Sequence, residues 1–155
     1  MKSAPLPENE DERLADLPSY DVLDNEAEQL FDDLTSLASQ ICETPIALIS
    51  LIDPDRQWFK SRVGLDAQET SRDIAFCSHA ILQDEIFEVP DAAEDPRFHD
   101  NPLVTGSPDI RFYAGAPLIT PSGHAIGTLC AIDKKPRQIT DEQRASLKTL
   151  SKAVV

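Results

Sequence analysis

The stretch FYAGAPLITPSGHAIGTLCAID, residues 112–133, decides the fold of this chain. It predicts two apolar strands, Phe112–Ile119 and His124–Asp133, joined by a tight turn at Thr120–Gly123 that contains proline and glycine. The second strand is apolar at almost every position, which is typical of a strand covered on both faces. We therefore expect this strand to lie in the middle of a sheet.

Two glycines, Gly115 and Gly127, lie inside these predicted strands. A glycine weakens a strand, so it usually marks a bulge or a close approach by another group. Two interpretations follow: a helix packed tightly on the sheet, or a ligand lying over it.

Composition places the chain among single-domain globular proteins. It has 155 residues, 41% of them hydrophobic, and a net charge of -14, so it is large enough for a core. The acidic surface argues against binding to nucleic acid or to anionic lipid. We expect a cytoplasmic protein with no membrane insertion, because no apolar run reaches the ~20 residues of a membrane helix and the N-terminus lacks an apolar signal core.

Helical periodicity is clearest over Asn25–Cys42, where apolar residues form one stripe. Residues 1–24 are acidic and predict an arm or a short helix within Glu8–Leu17, which leaves residues 25–155 as the domain proper. A second helix is predicted over Thr140–Val155, with capping-box spacing at its start. It has no stop signal, so we expect it to continue in a longer chain.

The middle of the chain predicts a second hairpin followed by an insertion. The predicted elements are the strands Ile46–Asp53 and Gln57–Val63 (the latter at an edge), a polar loop over Gly64–Asp73, a short helix over Ile74–Leu82, a strand over Glu85–Val89, and helix starts at Asp95-Pro96 and Asn101-Pro102. Hairpins imply antiparallel pairing. The predicted class is α+β: a central antiparallel sheet of five to six strands, terminal helices on one face, and a loop and short-helix insertion that forms a pocket on the other.

Three segments, PIALISLIDPDRQWFKSRVGL, DIAFCSHAIL and FYAGAPLITPSGHAIGTLCAIDKKPRQIT, together resemble a GAF domain. The resemblance is to GAF domains that precede histidine kinase or diguanylate cyclase modules in bacteria. It implies adjacent first and last long strands, and a ligand pocket between the sheet and the insertion at about residues 65–110. It also implies a non-enzymatic sensor that passes a signal to a C-terminal effector domain.

Candidate residues for this pocket are Trp58, Phe59, Phe76, Cys77, His79, Arg111 and Tyr113. Arg111 could bind a ligand carboxylate through its two-pronged guanidinium, or pair with a nearby acidic side chain. Cys77 and His79 are two positions apart, and such residues do not face each other on a helix. We therefore expect no Cys-His catalytic pair.

Thiol chemistry is the alternative function. Cys42, Cys77 and Cys130 are far apart and show no C-x-x-C spacing, which argues against a disulfide framework and a thiolate metal site. The alternative is a small redox enzyme of the free methionine sulfoxide reductase type that uses Cys77. Because Cys42 falls in a predicted helix and Cys130 in a central strand, we do not expect them to gather at the pocket.

No cofactor is predicted. The segment RFHDNPLVTGSPDIRF, ahead of Phe112, lacks the cysteine that anchors a bilin in photoreceptor GAF domains, so we expect a colourless protein. The sequence also lacks the Asn-Lys-Phe-Asp-Glu pattern of cyclic-nucleotide-binding GAF domains and a P-loop, and no motif supports haem. An unidentified small molecule remains the expected ligand.

The C-terminal helix carries a narrow apolar stripe of Leu147, Leu150 and Val154. A stripe of this width is typical of a seam between two helices. Together with the family resemblance, it predicts a parallel homodimer formed through the terminal helices.

Overall fold

A computed structural model describes residues 3–17 and 29–155 of the chain. Its elements follow one another as α1 (Glu10–Asp16), α2 (Gln29–Cys42), β1 (Ile46–Ile52), β2 (Arg56–Val63), β3 (Glu69–Ser71), α3 (Cys77–Ala80), β4 (Phe87–Val89), α4 (Pro102–Thr105), β5 (Phe112–Ile119), β6 (Ala125–Asp133) and α5 (Asp141–Val154). Within those ranges, no helix is both long enough and apolar enough to span a bilayer.

One six-stranded antiparallel sheet has the order β3-β2-β1-β6-β5-β4. β1 and β6 pair along most of their length, from Ile46 opposite Ile132 to Leu51 opposite Gly127. Every residue of both strands is buried, since each strand has a neighbour on both sides and a covered surface on both faces. The predicted fold class and the central position of these two strands are confirmed.

The two faces of the sheet carry separate cores. On one face α2 and α5 pack over the sheet, and their buried residues include Phe31, Leu34, Ala38 and Leu147. On the other face the segment between β2 and β5 covers the sheet with a second cluster that includes Phe76, Phe98 and Val104. The predicted layers are therefore present, and the inserted segment covers the second face.

The sequence predicted that β2 lies at the edge of the sheet. This is wrong, because the three-residue strand β3 pairs with the outer side of β2. Helix α2 covers polar residues of β2. Lys60 is 2% exposed and lies over the Phe31 ring, with 5.9 Å from its Nζ to the ring centroid. Ser61 donates a hydrogen bond of 2.6 Å to Asp32 of α2. Lys60 and Ser61 are neighbours that both meet α2, which fits the register irregularity in the β1–β2 pairing.

Several short elements differ from the predictions. The expected helix over Ile74–Leu82 is reduced to α3, preceded by a 3₁₀ turn at Arg72–Ile74. Asp95-Pro96 starts no helix, since the nearby 3₁₀ turn is capped by Asp91 instead. Asn101 does cap α4, and its side chain accepts a hydrogen bond from the Leu103 amide. The predicted start of the first long helix, at Asn25, lies outside the described residues.

Helix α5 begins as its sequence indicates, with the reciprocal Thr140–Gln143 capping box. Its apolar stripe, however, packs against its own domain. Leu147 is completely buried, and Leu150 and Val154 are partly buried against the same core. The stripe is narrow because few residues are needed to dock the helix on the sheet. Leu147 is therefore not available as a seam residue between two copies.

The N-terminal helix α1 is more firmly attached than an acidic arm would be. Arg13 and Leu17 are fully buried, and Arg13 donates a hydrogen bond of 2.7 Å to the Ile52 carbonyl at the end of β1. The Glu10 carboxylate accepts bonds of 2.6 and 3.0 Å from the two terminal nitrogens of Arg72. These contacts join α1 to both the central sheet and the segment leading into α3.

Neither predicted explanation of the strand glycines is correct. A β-carbon at Gly127 would overlap the carbonyl oxygen of Ser50, because the β1 backbone approaches β6 closely there. A β-carbon at Gly115 would meet the ring of Tyr113, which lies across it. Gly127 therefore admits a neighbouring strand and Gly115 admits a side chain; no helix or ligand is involved.

Candidate functional site

A cavity of about 360 Å³ lies between the sheet and the inserted segment. This volume is within the range of small-molecule sites. Its walls come from β1, β2, the loop after β2, α3, the loop around α4 and the start of β5; most of them are apolar, among them Ile46, Leu48, Phe59, Phe76, Leu103 and Ile110. The cavity therefore suits a ligand with a substantial apolar part.

Polar groups are few and lie at opposite ends of the cavity. At the mouth, Asp66 and Lys134 are exposed and carry opposite charges. Further in, the Gln57 side-chain nitrogen donates a bond of 3.0 Å to the Thr70 hydroxyl. The floor carries the thiol of Cys77 and the phenol of Tyr113. A few fixed polar groups in an apolar cavity are what orient a small ligand.

The structure brings four of the seven predicted pocket residues to this cavity. Phe59, Phe76, Cys77 and Tyr113 line it. The Phe76 ring also stacks on Phe98, with centroids 4.1 Å apart, which fixes one wall. The aromatic residues thus form a rigid side of the site.

Trp58 does not belong to the site. It is partly exposed and packs against the helix-side core, on the face of the sheet opposite to Phe59. Successive strand residues point to opposite faces, so only one of this pair could reach the cavity. Because both faces are covered by protein, the sequence could not indicate which one.

His79 lies beside the cavity, not in its lining. Its ring meets Phe98 edge-on, with centroids 4.8 Å apart, and lies nearly parallel to Phe87 at 6.2 Å. The polar contacts described for Cys77 are with Tyr113 and Thr128.

Arg111 is occupied by backbone carbonyls. Its terminal nitrogen donates bonds of 2.9 Å to the Val104 carbonyl and 3.0 Å to the Ile110 carbonyl. The two predicted roles, ligand carboxylate binding and pairing with an acidic side chain, stay predictions. Arg111 holds the loop after α4 against β5.

The Cys77 sulfur is the centre of a polar group at the cavity floor. The Thr128 hydroxyl oxygen lies 2.9 Å from it and the Tyr113 hydroxyl oxygen 3.0 Å from it. All three side chains are buried. Two hydroxyl groups that converge on one sulfur can donate hydrogen bonds to it, and this stabilises a thiolate.

Cys130 is buried in the same apolar cluster as Cys77 and lies two residues after Thr128 on β6. Neither Cys130 nor Cys42 lines the cavity. Burial acts to raise the pKa of the Cys77 thiol, but the polar groups of Cys130, Thr128, Tyr113 and Ser50 outweigh it and lower that pKa to about 7. Burial raises the pKa of Cys130 well above its usual range, and the neighbouring Cys77 adds to this. The two thiols therefore differ in direction: the pKa of Cys77 is lowered and that of Cys130 is raised.

Ser50 completes the group in an unusual way. Its hydroxyl oxygen is buried without a hydrogen-bond partner among the described residues. A buried hydroxyl without a partner costs free energy, so this position has capacity for one more hydrogen bond.

Ser50 and Thr128 were missed in the sequence. The available signal was a single hydroxyl residue within each of two otherwise apolar strands, IALISLI and AIGTLCAID. Ser50 lies directly opposite Thr128 in the β1–β6 register. Only the pairing register places them beside Cys130 and beneath α3.

Comparisons with known proteins agree on one family. The family model described as GAF domain matches residues 26–155. A curated relative, the cyclic di-GMP phosphodiesterase PA2567 of Pseudomonas aeruginosa, is 48% identical over 137 residues, which is 88% of this chain and 23% of that protein. The chain thus spans less than a quarter of the length of this relative.

Solved structures of low identity share the fold. The GAF domain from the Acinetobacter phosphoenolpyruvate-protein phosphotransferase superposes with a TM-score of 0.64 at 16% identity, covering 92% of this chain and 88% of that one. The free methionine-R-sulfoxide reductase from Neisseria meningitidis, solved with its substrate, gives a TM-score of 0.64 at 20% identity, covering 92% and 83%. The same architecture therefore occurs in a GAF domain of a phosphotransferase and in a reductase.

Proposed function

Because the chain belongs to the GAF domain family, we propose that it is the sensory module of a signalling protein and binds a small molecule in the cavity. The observation that carries this proposal is the cavity itself, about 360 Å³ of largely apolar space with Cys77 and Tyr113 at its floor. It lies under the inserted segment and beside the two central strands.

The expected ligand is compact and mostly apolar with a polar end. Apolar walls supply hydrophobic binding energy, whereas Asp66 and Lys134 at the mouth can contact an amine and a carboxylate. A zwitterionic or uncharged metabolite fits these groups better than a highly charged one. The net charge of -14 further disfavours a polyanion.

The signal is proposed to leave through the terminal helices. Helices α2 and α5 contact each other and the opposite face of the same central strands. A change at the cavity floor therefore needs to cross only β1 and β6 to reach them. Helix α1 offers a second route, because Arg72 links Glu10 to the segment that enters α3.

The proposed output is an effector domain in the same polypeptide, so any catalysis belongs to that domain. The phosphodiesterase relative, of which this chain corresponds to 23%, supports an effector that acts on cyclic dinucleotides. A histidine kinase or diguanylate cyclase effector is the alternative that the family resemblance implies.

Ligand binding can be tested by the unfolding temperature of the reduced chain in a panel of zwitterionic and uncharged aliphatic and aromatic metabolites. A ligand at a hundred times its Kd stabilises the folded state by about 2.7 kcal/mol, which raises Tm by roughly 5–10 °C for a chain of this size. We expect a subset of related compounds to produce such a shift. An unchanged Tm across the panel, together with a native mass spectrum of the bare chain, would count against a ligand-binding role.

We propose a homodimer through the terminal helices in which exposed residues of α2, and not Leu147 of α5, form the contact between the two copies. Leu30 and Leu37 are 58% and 43% exposed and lie seven residues apart, on one side of the helix. The double variant Leu30→Asp and Leu37→Asp is expected to raise the Kd of the dimer at least tenfold. A loss of about 1.4 kcal/mol in the free energy of dimerisation is enough for a tenfold change in Kd.

Sedimentation of this double variant and of the wild type measures the effect. Leu82→Asp is the matched control, because Leu82 is similarly exposed but lies beyond α3 in the insertion. A wild-type chain that stays monomeric at high concentration contradicts the dimer, and equal dimerisation of all three proteins contradicts this surface.

A second candidate function is the thiol-dependent reduction of a sulfoxide. The specific observation in its favour is the Cys77 thiol on the cavity lining, with Cys130 buried in the same cluster, since such chemistry needs a nucleophilic and a resolving thiol. Incubation with free methionine sulfoxide and dithiothreitol tests it. Methionine formation above the Cys77→Ser background would support the enzyme, and its absence would exclude this substrate.

A further inference from the structure

We propose that Gln57 selects the ligand of the cavity, and that the group it selects is a neutral carboxamide or lactam. This inference rests on the proposed ligand-binding function and names the chemical class that the same site takes. It depends on a buried amide on β2 whose orientation is fixed by a hydroxyl on β3.

The Gln57 side chain belongs to the wall of the cavity. It lines the cavity together with Phe59, two residues along the same face of β2, and the residue is only 4% exposed. In the sheet it lies between Ile52 of β1 and Thr70 of β3, which are its partners in the two strand pairings. An amide at this depth needs hydrogen-bond partners, because burying it without them costs free energy.

Thr70 fixes which end of the Gln57 amide faces β3. The Thr70 hydroxyl donates its hydrogen to the Ser71 carbonyl oxygen at 3.1 Å. It can therefore only accept from Gln57, and the Gln57 side-chain nitrogen donates to it at 3.0 Å. Because an amide has donors on its nitrogen and an acceptor on its oxygen, turning the Gln57 amide over would break this chain of hydrogen bonds.

The other end of the Gln57 amide is left for the cavity. Among the described residues, its side chain makes the one hydrogen bond to Thr70. The Gln57 carbonyl oxygen is not one of the buried atoms that are both sealed from solvent and unpartnered. It is therefore reached from the cavity, which is the space that this side chain lines. One acceptor oxygen and one N–H remain for a ligand.

A carboxamide or lactam complements this remaining capacity. Its N–H donates to the Gln57 oxygen, and its carbonyl accepts the second hydrogen of the Gln57 nitrogen. A carboxylate has no hydrogen to donate. An ammonium group beside Gln57 would be buried without a countercharge, because the charged residues of the lining, Asp66 and Lys134, are exposed at the mouth. A neutral amide therefore fits this position best.

This assignment also gives the short strand β3 a role in the site. Its three residues form a strand by pairing with β2, and that pairing places Thr70 directly opposite Gln57. Thr70 is thus a positioning residue, which acts on the ligand through the orientation of the Gln57 amide.

The test compares the affinities of benzamide and acetophenone, which differ only by an NH2 group in place of a methyl group. Both are neutral and carry a carbonyl on a phenyl ring, but only benzamide can donate to Gln57. Titration of the isotopically labelled chain, followed by the chemical shifts of its amides, gives the Kd of each probe. We expect the wild type to bind benzamide about tenfold more tightly, because acetophenone leaves the buried Gln57 oxygen unpaired.

Three variants separate recognition by Gln57 from a structural effect. Gln57→Met removes the amide at similar size, so acetophenone, the more apolar probe, should bind at least as tightly as benzamide. Thr70→Val removes the hydroxyl that orients Gln57. The amide can then turn over and donate to acetophenone, so the preference should fall to within about twofold. Thr70→Ser keeps a hydroxyl and should retain the wild-type preference, whereas a merely structural role of Thr70 would change both affinities equally.

Equal or tighter binding of acetophenone by the wild type would overturn the inference and leave the cavity as a ligand site. A benzamide preference that persists in Gln57→Met would also overturn it, since another residue would then be its source. If neither probe shifts the resonances of cavity residues at its highest soluble concentration, the proposed small-molecule site is contradicted together with this inference. The wild-type comparison needs no variant to fold.

Discussion

Gly127→Val is expected to lower the free energy of unfolding by at least about 3 kcal/mol, at the upper end of overpacking costs. Any β-carbon at this position overlaps the Ser50 carbonyl oxygen in the adjacent strand. A flexible side chain could move aside, but a strand backbone paired on both sides cannot do so without breaking its ladder. The loss is a large part of the 5–15 kcal/mol by which a typical domain is stable.

Gly123→Ala is the matched control for this prediction. Gly123 lies in the β5–β6 turn with a φ of +89°, and a β-carbon there meets no atom within 4 Å. Its cost is limited to backbone strain, roughly 1–2 kcal/mol. Urea unfolding of the two variants gives the comparison. Equal midpoints would show that β6 does not have the crowded central position assigned to it.

Glu10→Gln is expected to destabilise the chain by about 3 kcal/mol, because it leaves two arginines without their shared countercharge. Glu10 accepts hydrogen bonds from Arg72 at 2.6 and 3.0 Å and from Arg13 at 2.8 Å. The side chain of Arg13 is 1% exposed and that of Arg72 is 9% exposed. An amide at Glu10 would also turn a donor towards these donors.

The pH dependence of this effect has a definite sign. Burial alone would raise the pKa of Glu10, but the hydrogen bonds from Arg72 and Arg13 outweigh it and hold that pKa at about 2, below the ordinary 4.5. A carboxylate with a depressed pKa stabilises the folded state above its unfolded pKa and loses this contribution as the pH falls towards the folded one. The stability difference between wild type and Glu10→Gln should therefore shrink from pH 4.5 towards pH 2.

Glu12→Gln is the control, since Glu12 is exposed on the same helix. Urea unfolding at pH 7 and at pH 3 measures all three proteins. If Glu10→Gln is as stable as Glu12→Gln at pH 7, α1 is not held by this ion pair. A difference that does not change with pH would mean that the charge of Glu10 is not its source.

The strands could be predicted well where the pattern was determined by burial on both faces. The range Phe112–Ile119 is the same in sequence and structure, and β6 begins one residue after its predicted start. Caps with a local mechanism, at Asn101 and Thr140, were also predictable. β3 was not, because its three polar residues form a strand only by pairing with β2.

The site was only half visible in the sequence for a geometric reason. Phe76 and Cys77 are neighbours in a motif, but Ser50, Thr128 and Cys130 come together through the register of β1 with β6. Similarly, the stripe that contains Leu147 indicated an apolar contact correctly but not its partner, which is the sheet of the same chain. Periodicity identifies the buried side of an element; it does not say what covers it.

The central claim is that the cavity beneath the inserted segment binds the signal molecule. Its most direct test is the Tm shift produced by a stabilising metabolite in Ala67→Trp, which places an indole at the cavity wall, compared with Ala145→Trp on the exposed side of α5. The account predicts that the shift is lost in the first variant and unchanged in the second. An equal shift in both variants would place the ligand elsewhere and contradict the account.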